Sequence, residues 1–235
     1  MRAIILAGGE GTRLRPYTYT LPKPLMPIGG EIPILGIILS QLKKKNFDKV
    51  TITVNYLAKL IQAFFGDGED WGLKIDYSLE KKPLGTVGPI TLIEDLPETF
   101  LVMNGDILTN INYEEFYKWH KEHDNDFSVA TFKRMAQNDS GVLQFDENQN
   151  IFDFKEKPIQ YNYTSMGIYI LNKSVIDLLP KNEKIGFDQL ILNAIRDKIK
   201  IKAYLHDSFW LDIGSNSDYE KANDYFLENR KEFLY

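Results

Sequence analysis

Directly after a short apolar run, the segment Gly8-Gly9-Glu10-Gly11-Thr12-Arg13-Leu14-Arg15-Pro16 combines glycines with guanidinium groups. Glycines let backbone amides approach phosphate oxygens closely, and an arginine adds bidentate charge-assisted bonds. The chemistry is that of a phosphate cradle. It is not the dinucleotide fingerprint, because Leu14 stands where the third glycine belongs, and not a Walker A loop, because no Gly-Lys-Ser/Thr follows. A glycine-rich turn with surface arginines has the same composition, so other residues must decide. Asp106 closes the run Val102-Met103-Asn104-Gly105-Asp106, and Asp212 lies in Phe209-Trp210-Leu211-Asp212-Ile213-Gly214. A hard cation such as Mg²⁺ takes oxygen ligands and keeps several waters, so one or two carboxylates plus phosphate oxygens suffice to hold it. Taken alone, Asp212 also fits a turn.

These residues need elements to present them. Arg2 to Ala7 reads as a buried parallel strand whose end delivers the glycine loop. Leu35, Ile38, Leu39 and Leu42 recur at helical spacing, with Lys43 to Lys45 complementing the helix C-terminus, and Lys49 to Asn55 is a β-branched strand completing a βαβ unit. The rhythm continues through a helix near Lys59 to Phe65, strand Lys74 to Tyr77, a helix near Val87 to Glu94, strand Thr99 to Met103, and a helix marked by Tyr113, Phe116, Tyr117 and His120. From Phe127 the runs shorten (Phe127 to Phe132, Gly141 to Phe145, Met166 to Leu171), as in a mixed or antiparallel section, and Ser217 to Tyr235 reads as a closing helix. No Pro/Gly/Ser linker or internal repeat interrupts the chain. The expectation is one α/β domain over residues 1–235, with a nucleotide-binding lobe over about 1–125 and a smaller lobe over about 126–235.

Net charge −5 over 235 residues gives no long-range attraction for nucleic acid or an anionic membrane, so a phosphate ligand must be held by local cations and amides. The absence of cysteine excludes disulfides and thiolate chemistry. The apolar start stops at Gly8, too short for a signal sequence or membrane span, and the chain reads as cytoplasmic, a monomer or homodimer. His120, His123 and His206 share no ligand spacing and are read as structural; Phe64, Phe65, Trp71, Trp119 and Tyr169 are read as packing residues.

Gly8 to Lys23 (GGEGTRLRPYTYTLPK) resembles the signature G-x-G-T-R-x-x-P-x-T-x-x-x-P-K of the sugar-1-phosphate nucleotidyltransferase family. That resemblance covers nearly all of residues 1–225 and implies a Rossmann-like, mainly parallel mixed sheet flanked by helices, the glycosyltransferase-A-like fold, with a smaller sugar-binding lobe. It implies a Mg²⁺-dependent transfer of a nucleoside monophosphate from an NTP to a sugar 1-phosphate. Arg13 and Lys23 would hold the triphosphate and the reacting phosphates, with Asp106 as the third catalytic residue; Asp106 and Asp212 would hold the metal. Leu6, Ala7, Gly8, Gly9, Gly11 and Thr12 would contact the nucleotide. The run Glu80 to Ile90 (EKKPLGTVGPI) resembles the family's base loop, with Val87 replacing the usual alanine, and would place Glu80, Gly85 and Thr86 at the base. A carboxylate accepts both N–H donors of guanine's Watson–Crick edge, which favours GTP; uridylyl, thymidylyl or cytidylyl transfer stays open. Phe154 to Pro158 (FKEKP) resembles the E-K-P segment, giving Glu156 and Lys157 to the sugar phosphate with Asn104, Gly141 and Gly167. Ser165-Met166-Gly167 departs from the Asn-Ala-Gly usual in mannose-1-phosphate guanylyltransferases, so the sugar stays open. A non-catalytic nucleotide-sugar sensor is the rival from another class; such proteins usually lose the arginine, the lysine or a carboxylate, all retained here.

Overall fold

The computed structural model describes residues 1–234, and of Gln137 the backbone only. Its strands are β1 (Arg2–Leu6), β2 (Pro27–Ile28), β3 (Ile32–Pro33), β4 (Lys49–Val54), β5 (Lys74–Leu79), β6 (Thr99–Asn104), β7 (Ile107–Thr109), β8 (Phe127–Gln137), β9 (Val142–Phe145), β10 (Ile151–Lys155), β11 (Ile159–Asn172), β12 (Ile201–His206) and β13 (Trp210–Asp212). The helices are α1 (Ile34–Lys44), α2 (Ala58–Phe65), α3 (Tyr113–Glu122), α4 (Lys173–Asp177), α5 (Phe187–Arg196), α6 (Asn216–Glu228) and α7 (Arg230–Leu234). A seven-stranded sheet runs in the order β12-β8-β11-β6-β1-β4-β5 and draws strands from both halves of the sequence. β6, β1, β4 and β5 pair in parallel, β8 pairs in parallel with β12, and β11 is antiparallel to β6 and β8. This is the mixed, mainly parallel sheet expected.

The continuous apolar strands follow from burial on both faces. Ala3 and Ile5 of β1, Leu101 and Met103 of β6, and Ile168 and Ile170 of β11 face one core, shared with α1 and with Tyr113 and Phe116 of α3. Ile4, Phe100, Val102, Tyr169 and Leu171 face the other, where Phe187 and Leu190 of α5 pack and the Tyr169 ring stacks on Phe187 at 3.7 Å.

The parallel strands bring their C-terminal ends to one edge. β1 hands on to β4 and β5 on one side, and the chain then crosses to β6 on the other side of β1. Such a reversal opens a crevice at the carboxyl ends of the strands, where ligands of α/β sheets bind.

Several expected elements differ. The stretch read as a helix near Val87 to Glu94 is a 3₁₀ turn over Gly88–Leu92. Its entry is held across the fold, with the Val87 amide donating to the Ile185 carbonyl at 3.0 Å. β8 and β11 run well past the runs read for them, forming a ribbon whose outer half exposes Met135, Tyr161 and Tyr163. The closing segment is two helices, α6 and α7, and its final residue Tyr235 lies outside the described residues.

His120 is fully buried, with Nδ1 2.8 Å from Ser128 Oγ and Nε2 3.2 Å from Asn172 Oδ1. Burial holds its pKa below the ordinary histidine value. The folded state therefore favours neutral imidazole, and the stability this contributes is present above the unfolded value near ~6.5 and lost as the pH falls through the folded one. His120→Asn is expected to flatten the decline of urea-unfolding stability between about pH 7 and pH 5. An unchanged slope would assign that decline to other groups.

Candidate active site

β1 ends at Leu6, and the loop that follows is shaped by Gly11, whose φ of +62° is readily available to glycine. Thr18, fully buried, donates from Oγ1 to the Gly11 carbonyl at 2.7 Å and fixes the far side of the loop. Leu14 anchors the loop in the core, which leaves Arg13 exposed. The Arg13 guanidinium lies over Gly214, where a Cβ would sit 3.1 Å from Nη1.

From the neighbouring strand β6 the chain turns tightly at Gly105, whose amide donates to the Leu6 carbonyl at 2.9 Å. That turn carries Asp106 to the mouth of the loop. Lys23, nearly buried, donates to Asp106 Oδ2, while Asp106 Oδ1 is buried with no hydrogen-bond partner. β13 pairs with β7 in the register Asp212↔Ile107, and the Ile213 amide donates to the Asp106 carbonyl at 3.1 Å. Asp212 is thus a strand residue beside Asp106 and not a turn. Burial first, and then the Asp106 charge, push the Asp212 pKa up, with Lys23 and Arg13 opposing. A partly desolvated carboxylate pair with a free buried oxygen is a donor set that a divalent cation fits. Among the described residues no group of three or more His, Cys, Asp or Glu forms a larger cluster, so such a cation would keep waters or take phosphate oxygens.

Two adjoining cavities open at this edge. One, of about 250 Å³, is lined by Leu6, Ala7, Gly9, Gly11, Thr12 and Arg13 together with Lys23, Asp106 and Gly214. The second, of about 400 Å³, shares Leu6, Gly9 and Asp106 and adds Gly8, Asn104, Glu80, Gly85 and Thr86. Together they are in the size range of small-molecule sites. Glu80 is held at the back of the second cavity by the Leu84 amide, which donates to Oε2 at 3.1 Å, and burial pushes its pKa up. A Cβ on Gly8 would fall 2.6 Å from Glu80 Oε1, so only glycine lets the phosphate loop and this carboxylate lie together.

The residues read as sugar-phosphate contacts divide into two places. Gly167, at φ +71°, packs on Asn104, and a Cβ there would meet Asn104 Nδ2 at 2.6 Å. Gly141 lies beside Glu156 at the β9–β10 pair, where a Cβ would be 3.1 Å from Glu156 Oε2. Lys157 follows in the turn at φ +42°. Of these only Asn104 lines a cavity. Lys184, Asn55 and Gly214 line the cavities although sequence reasoning gave them no role. Lys184 and Gly214 lie far along the chain from the loops they meet, and no local spacing marks them.

The nucleotidyl transferase family profile matches residues 2–229. The UTP--glucose-1-phosphate uridylyltransferase of Synechocystis is 34% identical over 94% of this chain and 62% of its own length. The mannose-1-phosphate guanylyltransferase catalytic subunit beta of Dictyostelium discoideum is 34% identical over 98% of this chain and 66% of its own. The chain thus spans less than two thirds of these relatives. Among solved structures, HddC from Yersinia pseudotuberculosis complexed with GMP-PN superposes with a TM-score of 0.72 at 27% identity, covering 96% of this chain and 99% of that one. With the glycine loop, the strand-end carboxylate and a profile match along almost its whole length, the chain belongs to the nucleotidyl transferase family.

Proposed function

We propose that the chain transfers a nucleoside monophosphate, preferably from GTP, to a sugar 1-phosphate and releases pyrophosphate. The observation that carries this is the convergence of Arg13, Lys23 and Asp106 on one cavity beside the glycine loop, joined to a second cavity containing Glu80. The loop amides and Arg13 receive the triphosphate, and Glu80 accepts N–H donors of the base. An oxygen of the sugar phosphate forms the new bond to the α-phosphorus as the bond to the β-phosphate oxygen breaks, its electron pair leaving with pyrophosphate. The nucleophile is already an anion, so no covalent enzyme intermediate is needed, and the protein supplies positioning and charge.

Lys23 is bonded to Asp106 in the free protein and so already stands where phosphate charge would arrive. Mg²⁺ held by Asp106 and Asp212 would neutralise charge on the phosphates. In this reading residues 1–125 serve the nucleotide. Residues 126–235 bring Glu156, Lys157, Gly141 and Gly167 to the sugar phosphate, the β9–β10 pair approaching when that substrate is bound.

UTP is the alternative donor, because a uridylyltransferase is as similar to this chain as a guanylyltransferase is. Pyrophosphate release with Mg²⁺, across five nucleoside triphosphates and a panel of hexose, heptose and amino-sugar 1-phosphates, tests the proposal. Release with GTP and a sugar 1-phosphate supports it; release only with another nucleotide overturns the guanosine reading, and silence across the panel overturns the activity.

A further inference from the structure

The cavity that holds Glu80 is lined by carboxylates from three directions, and each is already engaged or partnered. Glu10 pairs with Arg15 at 3.7 Å, Asp106 with Lys23, and Glu80 accepts the Leu84 amide. A single lining residue carries positive charge, Lys184. It is exposed and has no ion-pair partner among the described residues.

Its placement is not that of a loose surface lysine. The next residue, Ile185, donates to the Leu84 carbonyl at 2.9 Å and accepts from the Val87 amide at 3.0 Å. The Phe187 amide donates to Thr86 Oγ1 at 3.0 Å, and Gly85, at φ +80°, comes so close that a Cβ would stand 2.5 Å from the Ile185 carbonyl oxygen. Four residues on the far side of the sequence are thus stitched to the Glu80 loop, and the stitching sets the Lys184 backbone at the cavity wall.

We infer that Lys184 is a specificity-determining residue that donates to the O6 and N7 acceptors of guanine while Glu80 accepts from N1–H and the 2-amino group. The inference rests on the guanosine reading above and names the second half of the base recognition. On guanine the O6 acceptor adjoins N1–H on the same edge, so a carboxylate at N1–H needs a donor immediately beside it. Lysine to O6 and N7 is a recurrent guanine contact, and its rotatable N–H groups suit two adjacent acceptors. Adenine and cytosine present an amino donor at the equivalent position, which an ammonium repels. Glu80 alone rejects neither inosine nor uridine strongly, since both retain one ring N–H.

The test is steady-state pyrophosphate release by the wild-type chain and by Lys184→Met, Lys184→Arg and Glu80→Gln, with GTP, ITP, ATP and UTP. Lys184→Met is expected to lower kcat/KM for GTP and ITP alike by roughly tenfold to a hundredfold, mainly through KM, because both bases carry O6 and N7. The GTP-over-ATP ratio should narrow, the KM for the sugar phosphate should stay put, and Lys184→Arg should retain most of the GTP activity. Glu80→Gln should instead penalise GTP more than ITP, which lacks the 2-amino group. A wild-type enzyme that prefers GTP but whose GTP kinetics Lys184→Met leaves unchanged overturns this assignment alone. A wild-type enzyme that uses UTP and not GTP overturns the guanosine reading and the Lys184 assignment with it.

Discussion

Replacement of Arg13 by alanine is expected to lower kcat by about 10²–10³-fold, the range for removing one preorganised group that stabilises developing charge. Displacement at phosphorus spreads negative charge over the equatorial oxygens and the departing pyrophosphate, and a fixed cation acts most strongly there. Arg13 suits that task because it is spent on nothing else: no ion pair engages it among the described residues, and it rests over Gly214 at the rim of the phosphate cavity. The same exposure predicts an undisturbed fold. Leu14 is the core anchor of the loop, and Thr18 holds the Gly11 carbonyl, so neither support depends on the guanidinium. The thermal midpoint should match the wild type. A variant with a normal midpoint and normal turnover would remove Arg13 from the mechanism.

Asp106→Asn is expected to be at least as damaging, on the order of 10³-fold in kcat, since several kcal/mol of charge stabilisation depend on a correctly held metal. The change is nearly isosteric but removes a charge from a site that pairs Lys23 on one oxygen and leaves the other buried and free. Two effects are expected together. The Mg²⁺ concentration for half-maximal rate should rise, because Asp212 remains as the sole carboxylate of the pair, and Lys23 should lose the partner that orients it. Asp212→Asn should shift the Mg²⁺ dependence in the same direction. An unaltered Mg²⁺ titration for Asp106→Asn would assign the cation to other ligands.

The edge at which the site forms was legible in the sequence because buried parallel strands write themselves as unbroken apolar runs. Arg2 to Leu6 and Thr99 to Asn104 each end in a glycine-containing turn that carries the polar residues. What escaped local reading depends on partners distant in the chain. Asp212 resembles a turn aspartate until β7 pairs with it, about a hundred positions earlier. Val87 to Glu94 has helical composition, yet its first amides are claimed by Ile185 and only a 3₁₀ turn remains. The outer halves of β8 and β11 went unread because solvent reaches them, so Arg134, Gln160 and Asn162 interrupt the apolar pattern that marks a buried strand. Lys184 carried no motif at all; only the backbone bonds of Ile185 bring it to the Glu80 loop.

The most direct test follows the phosphorus atoms of the nucleotide. With Mg²⁺, a sugar 1-phosphate that supports turnover, and GTP labelled in separate reactions at the α- or the γ-phosphate, the α-label should appear in a nucleotide sugar. The γ-label should appear in pyrophosphate, and neither should move when the sugar phosphate is omitted. An α-label recovered as free nucleoside monophosphate, or a γ-label recovered as orthophosphate, would show hydrolysis in place of transfer and contradict the account.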